Sequence, residues 1–158
     1  MKAEFDVKMT TNKMYDYMLK HNMTSFSGIL GEFVGLLIIV AFFLYHNWLY
    51  LICGIVIVLY LPVSLYLKSA NQVKLNPVFK EPLHYILNEE GVTVKSGENE
   101  DSLPWKDMYK ATSTTTSVIL YTNRVNACIF PKGDMGDVKD DAIRIISTHM
   151  DPKRVNIR

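Results

Sequence analysis

The chain has 158 residues, 49% of them hydrophobic, and its 17 Lys/Arg against 16 Asp/Glu give a net charge of +1. That length suits one ordinary domain, or a small domain with an appendage. The near-zero charge excludes a global field that would draw the protein to nucleic acid or another polyanion.

The average hides an asymmetry. Between Phe26 and Leu67 the only formally charged side chain is Glu32, whereas the 91 residues after Leu67 carry 13 Lys/Arg and 12 Asp/Glu. This is the pattern of a membrane segment joined to a soluble one. The two cysteines, Cys53 and Cys128, fall on opposite sides of that divide and match no metal or redox spacing. Both are expected as small hydrophobes in a reducing compartment, without a disulfide between them.

Residues 1–25 open with Glu4-Phe-Asp-Val-Lys-Met-Thr10, whose apolar and polar residues alternate as in a half-buried strand. Thr11 is placed to cap a short helix with Met14, Tyr17, Met18 and His21 on one face. That face suits either the membrane surface or the C-terminal domain.

Residues 26–67 supply two apolar runs of 20, 26–45 and 48–67, separated by His46-Asn47. At about 1.5 Å per residue, each run crosses a hydrocarbon core of roughly 30 Å. His46-Asn47 is therefore predicted as the tip of a helical hairpin, flanked by Tyr45, Trp48 and Tyr50 at the lipid–water interface. Lys2, Lys8, Lys13 and Lys20 precede the first run, Lys68, Lys74 and Lys80 follow the second, and the tip has no Lys or Arg. The positive-inside rule puts both termini in the cytoplasm. Within the first run, Gly31, Glu32 and Gly35 are the candidate packing and intramembrane residues. Gly31-Glu-Phe-Val-Gly35 fits close helix approach, either inside the hairpin against Gly54 or between copies in a homo-oligomer. Glu32 sits about two turns inside the cytoplasmic end, where a carboxylate serves helix packing or, in a second reading, a transport or sensing path.

Residues 68–80 read as a linker, with Pro77 opposing helix. From 81 to 158 the texture is that of a β domain. His84–Leu87 and Val92–Lys95 are predicted strands across Asn88-Glu-Glu-Gly91, and Gly97–Asp101 is a second turn leading to Ser102-Leu-Pro-Trp105. Met108–Thr112 continues extended. Val118–Thr122 and Ala127–Phe130 pair across Asn123–Asn126, and Asp137 is predicted to cap a helix with Val138, Ala142, Ile145, Ile146 and His149 on its inner face. The fold class expected is α+β: a transmembrane α-helical hairpin and an antiparallel β domain closed by a C-terminal helix.

Two close apolar spans are followed by Leu87-Asn-Glu-Glu-Gly-Val-Thr-Val94, Leu103-Pro-Trp-Lys-Asp-Met-Tyr-Lys110, Val118-Ile-Leu-Tyr121 and Ile129-Phe-Pro-Lys132. In this order they resemble the YcxB-like family of bacterial membrane proteins. The resemblance implies a small inner-membrane hairpin whose C-terminal part is a partly open, pleckstrin-homology-like barrel. The chain departs from the pattern in the expected loop Gly133-Asp-Met-Gly136, where the resemblance leads one to expect a basic residue and an aromatic. The family carries no established activity to transfer.

No nucleophile elbow, Walker loop or dinucleotide fingerprint occurs, and the histidines at 21, 46, 84 and 149 form no metal-ligand spacing. Neither an enzymatic activity nor a cofactor is expected. Glu98, Glu100 and Asp101 read as a solvated hairpin tip, and Trp105 as core before contact platform. Candidate contacts with a protein partner or with membrane lipids are Trp105, Lys132, Lys153 and Arg154, the last two forming a small basic patch in the tail. The leading expectation is a membrane-anchored binding or regulatory module. Alternatives are an oligomer whose spans act through Glu32, and protection against a membrane-active toxin.

Overall fold

The structure is a computed structural model that describes residues 1–157. It is an α+β chain with two long apolar helices and two four-stranded sheets. The first strand, β1 (Ala3–Val7), buries Ala3, Phe5 and Val7 and exposes the residues between, as its alternation requires. Helix α1 (Thr11–Met23) follows. Its cap is Thr10 rather than the predicted Thr11, with Oγ1 accepting from the Lys13 amide at 3.4 Å. The hydroxyl one residue earlier lies opposite the free amides of the first turn.

The chain then turns sharply at Thr24-Ser25. The Ser25 hydroxyl accepts from the Gly28 amide and donates to the Asn22 carbonyl, and a Cβ at Gly28 would lie 2.2 Å from that carbonyl oxygen. Two apolar helices follow, α2 (Phe26–Tyr45) and α3 (Trp48–Leu75), joined at His46-Asn47 as predicted. His46 adopts a left-handed φ of 52°, and the Asn47 side chain caps α3 through the Leu49 amide at 3.0 Å. The helices touch back to back at glycines. A Cβ on Gly54 would meet the Ile39 amide nitrogen at 2.9 Å and the Gly35 carbonyl oxygen at 3.0 Å.

Helix α3 does not stop at Leu67. It runs eight residues further, so the predicted linker begins only after Leu75, at Asn76, with Pro77–Phe79 in a 3₁₀ turn. Lys68–Leu75 contains no breaker, and Ser69 and Val73 bind the extension to the rest of the molecule. Ser69 is fully buried against Met18 of α1, and Val73 packs on the core. Tertiary packing holds as helix what a polar composition suggested was linker.

The first sheet runs β1, β2 (Leu83–Leu87), β3 (Gly91–Ser96), β4 (Asn99–Pro104), all antiparallel. β1 pairs with β2 from Ala3 opposite Leu87 to Val7 opposite Leu83. The N-terminal strand is thus an edge of the domain's own sheet, and the helical hairpin is inserted between β1–α1 and β2. The predicted turn Gly97–Asp101 shrinks to Gly97-Glu98, with Gly97 at φ +58°. Glu100 and Asp101 therefore lie on β4, where Glu100 meets Lys95 at 3.1 Å.

The second sheet runs β7 (Ala127–Pro131), β6 (Ser117–Tyr121), β5 (Lys110–Ser113), β8 (Val155–Asn156). Only β8 is parallel to its neighbour. Helix α4 (Lys132–Met135) and a 3₁₀ turn replace the expected loop, because Met135 is buried. Helix α5 (Lys139–His149) then starts without a side-chain cap: its N-cap is Val138, and Asp137 lies in the preceding turn.

One core joins both sheets. Phe130 of β7 meets Phe5 edge-on at 5.4 Å and Tyr85 at 4.9 Å, while Met14 of α1 and Ala142, Ile145 and Ile146 of α5 close it. Each fully buried large apolar side chain contributes about 1.5–3 kcal/mol. Phe5, Val7 and Met14, all N-terminal to the hairpin, are thus essential to a core of this size. A fragment of residues 81–158 is expected to lack cooperative thermal unfolding by circular dichroism, and restoring residues 1–25 in trans should recover it. The glycine contacts predict a graded series in detergent-solubilised protein. Gly54→Ala should cost about 1–3 kcal/mol by overpacking against backbone, Gly35→Ala less, and Gly31→Ala nothing measurable, since a Cβ there meets open space.

Candidate functional site: a cation-lined cleft beside the first apolar helix

Three chain segments converge at the end of α1 nearest α2. α1 itself is clamped to the β domain on two sides. The Lys13 ammonium bonds both carboxylate oxygens of Asp134, at 2.6 and 2.8 Å, and the Asp16 carboxylate accepts from the hydroxyls of Thr114 and Thr116. Lys20, one turn further on, is thereby carried to the outer face of β5. Tyr109 and Lys110 come from β5 and its approach. Lys153 and Arg154 come from a 3₁₀ turn (Pro152–Arg154), where the Asp151 side chain accepts from the Lys153 amide at 2.9 Å. β8 zips this turn onto β5, with Val155 opposite Ala111.

The result is a cleft of ≈ 510 Å³ lined by Lys20, Lys110, Lys153 and Arg154, together with Thr24, Tyr121 and Asn156. No carboxylate lines it, and among the described residues none of the four cations is ion-paired. The Lys110 ammonium lies 4.7 Å from the centre of the Tyr121 ring, a cation–π arrangement that holds it in place. The Arg154 guanidinium touches the Met108 carbonyl at 3.5 Å. Beneath Lys110, Tyr121 packs on Tyr17 and His21, and His21 Nδ1 lies 3.4 Å from the Tyr121 hydroxyl. Desolvation pushes the Tyr121 hydroxyl up to about 12.

A second polar cleft continues along β5 and shares Lys20, Thr112 and Asn156 with the first. Lys132 lines it, half-buried, its ammonium donating to the Thr114 carbonyl at 2.8 Å. Between α1, α3 and the sheet ends lies a larger hollow of ≈ 690 Å³ lined by Met9, Met18, Leu65 and Phe79 together with Lys68 and Asp101.

The contact residues expected from sequence separate into two groups. Lys153 and Arg154 are exposed on the cleft rim, joined by Lys20 and Lys110, which sequence reasoning missed. In the sequence Lys20 counts only as a topology signal and Lys110 as part of an extended segment and of the motif Leu103–Lys110, and nothing in their spacing marks them as neighbours. Trp105 does not line the cleft. It is buried, donates its indole N–H to the Asn88 carbonyl at 2.8 Å and stacks on His149 of α5. In the hairpin, Gly35 is consumed by packing against α3, whereas Gly31 faces open space. Glu32 is half-buried and has no hydrogen-bond or ion-pair partner among the described residues.

Residues 87–148 match the family model described as YcxB-like protein. The likeness to that family read from the sequence is therefore shown over this region. No curated protein and no solved structure matches the chain. The YcxB-like region runs from the last residue of β2 to the penultimate residue of α5. Of the cleft's four cations it contains Lys110 alone; Lys20, Lys153 and Arg154 are brought to it by flanking segments.

Burial also governs the titrating groups of the core. It pushes the Cys128 thiol up to about 12 and the Tyr85 hydroxyl well above its ordinary value. An unfolded chain ionises these groups at about 9–10, while the folded chain keeps their protons. The unfolded state then binds fewer protons, so stability is intact below about pH 9 and falls as pH rises toward 12. Thermal melts at pH 8 and pH 10.5 should show the lower midpoint at the higher pH. Cys128 should resist iodoacetamide at pH 8 until denaturant is added.

Proposed function

We propose that the protein is a membrane-anchored, non-enzymatic binding module. In this reading α2 and α3 cross a bacterial cytoplasmic membrane twice, and the β domain, of the pleckstrin-homology-like, partly open barrel kind, is held on the cytoplasmic face. There it engages the membrane surface and presents itself to a protein partner. The observation that carries the reading is the insertion of the hairpin into the domain. β1 and α1 lead into α2, and α3 leads back to β2, the strand paired with β1. A hairpin so inserted keeps both flanks on one side of any bilayer it crosses.

The surface of the hairpin supports the same view. The apolar windows of α2 and α3 are only 11% buried, the reverse of a soluble core helix, and Phe26 is 81% exposed. Leaving such a surface in water would cost about 25 cal/mol per Å² of apolar area. The lysines on both flanks and their absence from the tip favour the cytoplasmic side for the domain. Helix α1, fixed to the domain by Lys13 and Asp16 and to α3 by Met18, makes anchor and domain a single body.

The expected outcome is retention in the membrane pellet after alkaline carbonate extraction. Reporter fusions at residues 1 and 157 should be active only in the cytoplasm, and one inserted at His46-Asn47 only outside. Extraction into the supernatant would refute the anchor, and opposite signals at the two ends would refute the hairpin.

A further inference from the structure

We propose that the cleft between α1, β5 and the Pro152–Arg154 turn binds the phosphate group of an anionic phospholipid headgroup. The proposal rests on the membrane-anchored reading above and names the ligand of that same site.

Charge placement is the first ground. The chain is almost neutral at +1, and elsewhere several lysines meet carboxylates: Lys2 with Glu4, Lys13 with Asp134, Lys95 with Glu100. Here four cations from three separate segments line one hollow with no acidic side chain. Gathering like charges without a counter-charge is unfavourable, and a bound anion relieves it.

Geometry is the second ground. Lys110 is held over the Tyr121 ring, and the Arg154 guanidinium is steadied at one edge by the Met108 carbonyl. Two donors are thus set before a ligand arrives, and a guanidinium fork suits phosphate oxygens in particular. The Asn156 side chain adds a polar wall, and ≈ 510 Å³ accommodates a phosphate together with its ester arms.

Location decides the source of the phosphate. Thr24, on the cleft rim, stands two residues before Phe26, where the first apolar helix begins. With α2 in a bilayer, the cleft opens at headgroup level, where anionic lipids are concentrated and each cation gains from the surface potential.

The test uses the full-length protein in neutral detergent, with lipid occupancy read by native mass spectrometry. Phosphatidylglycerol should bind at least tenfold more tightly than phosphatidylcholine. Lys110→Gln, Lys153→Gln and Arg154→Gln should each weaken phosphatidylglycerol binding about fivefold, with circular dichroism spectra unchanged. Lys110→Arg should retain most of the affinity. Lys80→Gln, the same charge loss outside the cleft, should leave it unaltered. Equal binding of the two lipids, or cleft variants indistinguishable from the parent, would overturn the proposal. Competition by inorganic phosphate separates the sources. Displacement of the lipid by phosphate at the lipid's own effective concentration would make soluble phosphate the ligand and overturn the lipid assignment. Carbonate extraction of the same preparations keeps the two readings apart. A membrane-integral protein without lipid preference refutes the cleft alone, whereas an extractable protein refutes the anchor.

Discussion

Everything in this molecule depends on the placement of α1. A helix of 13 residues is too short to be stable in isolation, and this one is held from every side. Met14 enters the core, Lys13 and Asp16 tie it to α4 and to the β5–β6 turn, Met18 contacts Ser69, and Tyr15 packs edge-on against Tyr66. Because one helix carries contacts to both bodies, the apolar hairpin and the β domain have a fixed relation, unlike two units joined by a flexible tether.

That relation explains the length of α3. Its last eight residues are more polar than the rest of the helix, yet they remain helical because Ser69 and Val73 dock on α1 and the core. The hairpin therefore rises from the domain on two rigid legs. One leg turns sharply at Thr24-Ser25, and the other is α3 itself, helical from Trp48 to Leu75. The sharp bend needs Gly28, and it is also what brings Lys20 and Thr24 close to the start of α2. Under the proposed binding role, such stiffness leaves little conformational entropy to be lost on binding.

Much of the architecture was legible in the sequence because local physics decided it. Two runs of 20 apolar residues with a polar dipeptide between them can hardly be anything but a helical pair. The period-two alternation of Ala3–Val7 and the turn residues Asn88–Gly91 and Asn123–Asn126 likewise announced strands and hairpins. Asn123 bears this out directly, since its side chain accepts from the amides of both Val125 and Asn126. The errors came where a neighbour distant in sequence overrode the local signal. Met135 turned an expected loop into a helical turn, and packing of Ser69 and Val73 extended α3. The caps at Thr10 and Val138 differ from those expected by one residue each, the usual uncertainty at helix ends.

The sequence by itself determined the apolar hairpin, its tip at His46-Asn47, the β texture after residue 81 and the likeness to the YcxB-like family. These rest on composition and on periods of two and 3.6, which are local properties of the chain. Tertiary structure alone decided that β1 completes the domain's first sheet, that Gly35 rather than Gly31 meets α3, and that Trp105 is interior. It alone also gathered Lys20, Lys110, Lys153 and Arg154 into one cleft. Those residues are up to 134 positions apart, and no local rule makes them neighbours. Only the pairing of β8 with β5 and the clamping of α1 across the sheet bring their charges together.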